Sequence, residues 1–97
     1  TNTAQAVKAS AGQLYGWYIY NPNDEVSYVN VYNTASGSVT VGTTSPLFQI
    51  PVPPASAANI LGGVGIAFGT AISASATKTA GSNTAPDVAM ECVLFYK

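Results

Sequence analysis

Histidine and arginine are absent from this chain, cysteine occurs once and lysine three times. Each absence removes a class of function. Without His, no imidazole can act as a general base, complete a Ser-His-Asp triad or ligate a metal. With Lys8, Lys78 and Lys97 as the only cations and a formal net charge of −1, nothing neutralises the row of phosphates that nucleic-acid binding requires. The same deficit argues against attraction to an anionic membrane surface. Cys92 has no second cysteine to pair with, so no disulfide framework staples the fold. Within an apolar run it is expected to be a small buried hydrophobe, and as a nucleophile it would lack an activating base.

The largest deficit is charge itself. Only 7% of the residues are charged, against roughly a quarter in an ordinary soluble domain. From Val26 through Thr77, more than half of the chain, there is none. Charge keeps a monomer's surface soluble and discourages association, so a small protein that omits it is expected to work with much of its surface covered. Thr1–Ser10 lacks the basic start and apolar run of a secretory signal. Asn2, Asn33 and Asn83 are each followed by Thr and then Ala, out of register for N-glycosylation.

What is present is enough for one core. The chain has 97 residues, 47% of them hydrophobic, which fits a single domain. Leu14, Trp17, Ile19, Phe48, Phe68 and Phe95 are spread along its length, unlike the composition of a disordered segment.

The periodicity is that of strands. Val88, Met90, Cys92, Leu94 and Tyr96 alternate with Ala89, Glu91, Val93, Phe95 and Lys97, which predicts a strand with its first set in the core. Val93 and Phe95 mean that the second face is not simply solvated. In Leu14–Tyr20 both faces are apolar: Leu14, Tyr18 and Tyr20 share one parity, and Tyr15, Trp17 and Ile19 the other. One face of an antiparallel sheet commonly meets water, so this strand asks for a second cover. Gly16 within it marks a bulge or a close backbone approach. Across Val64–Thr77 the large residues fall on one parity and Gly, Ala, Ser and Thr on the other, with a kink expected near Gly69–Thr70. The small face reads equally as a place for another chain's backbone or as an ordinary exterior.

Val26–Asn33, Val39–Val41 and Leu47–Val52 are further expected strands. Pro51 pushes the last to an edge or a bulge. Ser10–Gly12, Asn21–Asp24, Ala35–Gly37, Pro53-Pro54, Gly62-Gly63 and Ala80–Asn83 read as turns, and Ser56–Leu61 is open to a helical turn. About seven short strands predict an all-β fold: a single small antiparallel β-sandwich, jelly roll or barrel over residues 11–97, after an extended N-terminal arm over residues 1–10. The uncharged run Ala55–Ala76 is interrupted by Ser, Asn and Thr and has a period of two, so it reads as sheet rather than as a membrane span.

Candidate chemistry is sparse. Asp24 and Glu25 are neighbours in a turn and diverge. Asp87 and Glu91 lie roughly 13 Å apart along a strand, too far for paired-carboxylate catalysis. Asn21–Glu25 carries oxygen ligands of the kind calcium takes, but turn chemistry accounts for the same residues. No enzymatic activity, metal or cofactor is expected. The aromatic cluster Tyr15–Tyr20 reads as a protein interface or a sugar-stacking platform, against the bland alternative of a core with tyrosine hydroxyls at its rim.

The segments Val7–Asn21, Gly65–Ser73 and Val93–Lys97 together resemble the small virion proteins of tailed bacteriophages. These are single β domains that decorate or cement the icosahedral head, commonly as trimers. The resemblance implies a location on the capsid surface, a major capsid protein and further copies of itself as partners, and no nucleic acid, membrane or cofactor. It transfers no functional residue. The contacts expected on this reading are Val7 in the arm and Tyr15, Trp17 and Ile19 on one face of the aromatic strand, with the arm adding a strand to a neighbour. Two rival readings remain: a glycan-binding adhesin or tail-tip module stacking sugars on Trp17 and Tyr rings, and a subunit of a tail tube or fibre.

Overall fold

The aromatic run forms the centre of one sheet, and the rest of the chain folds around it. A computed structural model describes residues 3–78, 84–86 and 90–97, with the backbone alone for 61–64. Its strands are β1 (Gln5–Lys8), β2 (Gly12–Asn21), β3 (Ser27–Tyr32), β4 (Phe48–Val52), β5 (Ser56–Phe68), β6 (Ile72–Thr77) and β7 (Glu91–Tyr96), with one 3₁₀ turn at Ser36–Ser38. They form a four-stranded sheet in the order β1-β6-β3-β4 and a three-stranded sheet in the order β5-β2-β7. All pairings are antiparallel. The chain is an all-β sandwich.

Alternation fills the space between the sheets. Val29 and Val31 from β3, Ile50 and Val52 from β4 and Ile72 at the start of β6 meet Leu14, Ile19 and Phe68 from the other sheet, all buried. The Phe48 ring stands between Trp17 and Phe68, with centroid separations of 5.8 and 6.4 Å, tilted as aromatic pairs prefer.

Two irregularities decide which side chains face inward. In β2, Leu14 and Gly16 pair with the consecutive residues Tyr96 and Phe95 of β7, so Tyr15 is an extra, bulged residue. The bulge reverses the parity read from the sequence: Leu14 joins Trp17 and Ile19 on the inner face, and Tyr15 turns outward with Gln13, whose Oε1 accepts its hydroxyl proton at 2.5 Å. Opposite it, β5 accommodates residues 62–65 between partners Leu61 and Ile66. The glycines expected to make a turn at Gly62-Gly63 therefore lie within a strand. They form part of a four-residue bulge, and a Cβ on Gly65 would fall 2.8 Å from that of Gln13.

Other expectations are corrected. Val39–Val41 is not a strand: the amides of Thr43 and Thr44 both donate to the Thr40 carbonyl, and Gly42 has φ 91°. The Thr44 hydroxyl accepts from the Thr40 amide here, and two valines without a neighbouring strand do not outweigh such local bonding. Ser56–Leu61 is strand rather than helix. The kink near Gly69–Thr70 is a change of sheet, β5 and β6 belonging to different ones; Asn33 Oδ1 accepts from the Thr70 amide across the corner. The N-terminal arm is not free over Gln5–Lys8, because it pairs with β6 of its own sheet. Val7 is skipped by that register and packs against the core. Pro51 does lie in an edge strand, and Pro53-Pro54 turns the chain with Ala55 at φ 50°. The turn expected at Ala80–Asn83 and the residues Asp87, Val88 and Ala89 lie outside the described residues.

The small, polar face of β6 is covered from within. Ser73, Ser75 and Thr77 are buried with Asn30 and Tyr32. Asn30 Nδ2 donates to Ser75 Oγ and Thr77 Oγ1, both at 3.1 Å, and Gln49 Nε2 donates to Asn30 Oδ1 at 2.6 Å. The Ser73 hydroxyl donates to the Thr34 carbonyl, so the β3–β4 connection occupies the space open to another chain's backbone in the sequence reading.

Candidate functional site

With the outer face of the four-stranded sheet covered, the outer face of the other sheet stands out. Tyr18 lies between Asn59 of β5 and Val93 of β7, Tyr20 lies between Ala57 and Glu91, and Gly16 lies beside Phe95. Tyr18 is 43% exposed, Val93 50% and Phe95 42%. Half of each of these side chains is in water, side by side, with Glu91 the only charged residue of the row. Three adjacent strands thus hold an aromatic surface on a rigid ladder, and Phe95 covers the position where Gly16 presents no side chain. Scattered exposed apolar residues are normal, whereas contiguous ones mark interaction sites.

The residues expected to make contacts are placed differently. Ile19 is fully buried, and Trp17 packs inward on Phe48. Val7 packs against the core as well. Only Tyr15 of that set turns outward, half-buried. Trp17 is therefore no open stacking platform for a sugar. The residues that carry the face, Tyr18, Tyr20, Val93 and Phe95, had their signal in the strand that was apolar on both sides and in the two large residues on the second face of β7.

A second feature is the open side of the sandwich. Where β4 and β5 approach each other the sheets close. Between β1 and β7 a cleft of about 430 Å³ remains, lined by Val7, Val29, Ala76, Met90, Leu94 and Tyr96, among others. Cys92 also lines it, although its residue as a whole is exposed rather than buried as expected. It sits on an edge strand, where one flank is open to water. Desolvation on the cleft side pushes the thiol pKa up from its ordinary value, which keeps it protonated and a poor nucleophile.

Among the described residues the acidic side chains do not converge. Glu25 meets Lys78 at 3.6 Å across a wet surface, and Glu91 lies in β7. Among the described residues no three His, Cys, Asp or Glu side chains cluster. At the end of β2, Asn21 is fully buried and its side chain is fully engaged. Nδ2 donates to the carbonyls of Glu25, Val52 and Pro53, and Oδ1 accepts from the amide and the side chain of Asn23. These oxygens and nitrogens tie the turn to the β4–β5 corner.

Comparison of the chain with protein-family models, with curated proteins and with solved structures found no match.

Proposed function

We propose that this chain is a structural subunit of a virion surface, decorating and stabilising a bacteriophage capsid through the outer face of its three-stranded sheet. The observation that carries the reading is the row Tyr18, Tyr20, Val93 and Phe95, between a third and a half exposed on one rigid face. A face that needs a cover and a chain with almost no charge to keep it apart from others are the properties of a part made to be assembled. Tyrosine and phenylalanine suit the centre of such a contact, being large, stiff and depleted of charge. A protein that binds only the assembled shell stabilises it by mass action, with no cofactor and no catalytic group.

Sedimentation with empty capsids from the same source tests this. The chain should pellet with them and saturate at a fixed ratio to the major capsid protein. A chain that stays in the supernatant, binds polysaccharide instead, or grows into open-ended polymers as a tube or fibre subunit would, overturns the reading.

A further inference from the structure

The four edges of the two sheets are not equivalent. Edge strands expose unpaired amides and carbonyls, and proteins blunt them with prolines, bulges and charges. Edge β1 has a register break at Val7 and ends on Lys8. Edge β4 carries Pro51, and edge β5 carries the 62–65 bulge. Edge β7 carries no proline and no extra residue: Cys92–Tyr96 is apolar and unbroken, its charges Glu91 and Lys97 stand only at its two ends, and its exposed residues include Val93, Phe95 and Tyr96.

The phase of its free hydrogen-bonding groups follows from its inner neighbour. Lys97 exchanges both backbone bonds with Gln13, N to O at 2.9 and 3.0 Å. By the alternation of an antiparallel ladder, the main-chain groups of Tyr96, Leu94 and Cys92 then point to the free edge. A second β7 can pair with it antiparallel only where outward residues meet outward residues. The symmetric register about Leu94 does this and sets Cys92 opposite Tyr96, Val93 opposite Phe95, and Glu91 opposite Lys97. Centring on Val93 instead opposes Glu91 to Phe95, and centring on Phe95 opposes Lys97 to Val93. Only the register about Leu94 matches charge with charge at both ends, with aromatic and β-branched pairs between.

We propose that β7 is a self-association edge, pairing about a two-fold axis with the same strand of a second copy so that the two three-stranded sheets become one of six. The contact is isologous and closes on itself. It sets Cys92, Leu94 and Tyr96 of the second copy along the mouth of the β1–β7 cleft and doubles the outer aromatic face.

The register makes a sharp test. In the Cys92→Ser chain, Leu94→Cys places two thiols directly opposite each other, Cα atoms about 5.5 Å apart, within disulfide reach. In the unaltered chain the two Cys92 residues would lie roughly 14 Å apart and cannot bond. Under mild oxidation the Leu94→Cys chain should become a covalent dimer on a non-reducing gel, and the unaltered chain should not. A monomeric Leu94→Cys chain, or equal cross-linking through Cys92, overturns the proposal. Leu94 also touches the core, so charge exchange at exposed positions gives an independent reading. Glu91→Lys or Lys97→Glu alone should weaken dimerisation in sedimentation equilibrium by about tenfold, two ion pairs becoming two repulsions, and the double exchange should restore it. A double variant no better than either single variant refutes the register. Failure here leaves capsid binding through Tyr18 untouched, and loss of capsid binding leaves the cross-link untouched, so the two readings fall separately.

Discussion

Replacing Tyr18 by Lys puts a charge in the middle of the aromatic face without touching the core. Tyr18 is 43% exposed, so of ~200 Å² of side chain about 85 Å² is still open to be covered. At about 25 cal/mol per Å², covering it contributes about 2 kcal/mol to binding. Lysine forfeits that contribution and, once covered, desolvates an ammonium whose one acidic neighbour on the face is Glu91, diagonally across on β7, at about 2 kcal/mol or more even when the two pair. The sum is at least about 4 kcal/mol, or about a thousandfold in Kd. Folding should suffer far less. The lysine stem can lie along Asn59 and Val93 and recover much of the lost packing, leaving a net loss of about 1–2 kcal/mol. Tyr18→Phe keeps the ring and should change neither quantity beyond about 0.5 kcal/mol. Urea denaturation of the purified variants gives the folding terms, and co-sedimentation with empty capsids gives the binding term. A folded Tyr18→Lys chain that binds capsids within threefold of the unaltered one refutes the reasoning.

Ile19→Ala, once the bulge turns this residue inward, should cost about 3–4 kcal/mol of folding stability, seen as a lower urea midpoint; a change under 1 kcal/mol would put Ile19 on the surface after all. Asn21→Asp should destabilise at least as much as Asn21→Ala, by about 3 kcal/mol, since a carboxylate can still accept from Asn23 but faces three carbonyls to which Asn21 now donates. A near-neutral Asn21→Asp in the same denaturation assay would contradict that geometry. The raised pKa of the Cys92 thiol means that the folded chain holds this proton more tightly than the unfolded chain. Its stabilising contribution is present below the ordinary thiol pKa and is lost as pH rises through the raised folded value. The unaltered chain should therefore lose stability above about pH 9 relative to Cys92→Ala, by thermal melts across pH; parallel curves would show that the thiol is not desolvated.

The sheet class was legible because period-two alternation is a property of the strand itself, and runs such as Tyr28–Tyr32 or Phe48–Val52 hold it without interruption. Pro51 announced its edge for the same local reason, its missing amide. The face assignments in β2 were not legible. A one-residue bulge at Tyr15 inverts the parity of everything before it relative to everything after, and nothing in Leu14–Tyr20 says whether Tyr15 or Gly16 takes the extra place. Gly62-Gly63 and Val39–Val41 failed through partners: glycines make a turn or a bulge depending on the strand opposite, and valines make a strand only where a neighbour offers hydrogen bonds. The need for a cover was visible in the two-sided apolar pattern, although the side that needed it came from the fold.

The central claim is that the face of Tyr18, Tyr20 and Phe95 is covered in the assembled particle. Hydroxyl-radical footprinting with mass spectrometry, comparing the free chain with intact particles, reads those rings directly. Oxidation of Tyr18, Tyr20 and Phe95 should fall at least about fivefold on assembly, as desolvated centres of an interface require, while the already buried Tyr32 stays low in both. Equal oxidation of the three rings in the free and assembled states would contradict the claim.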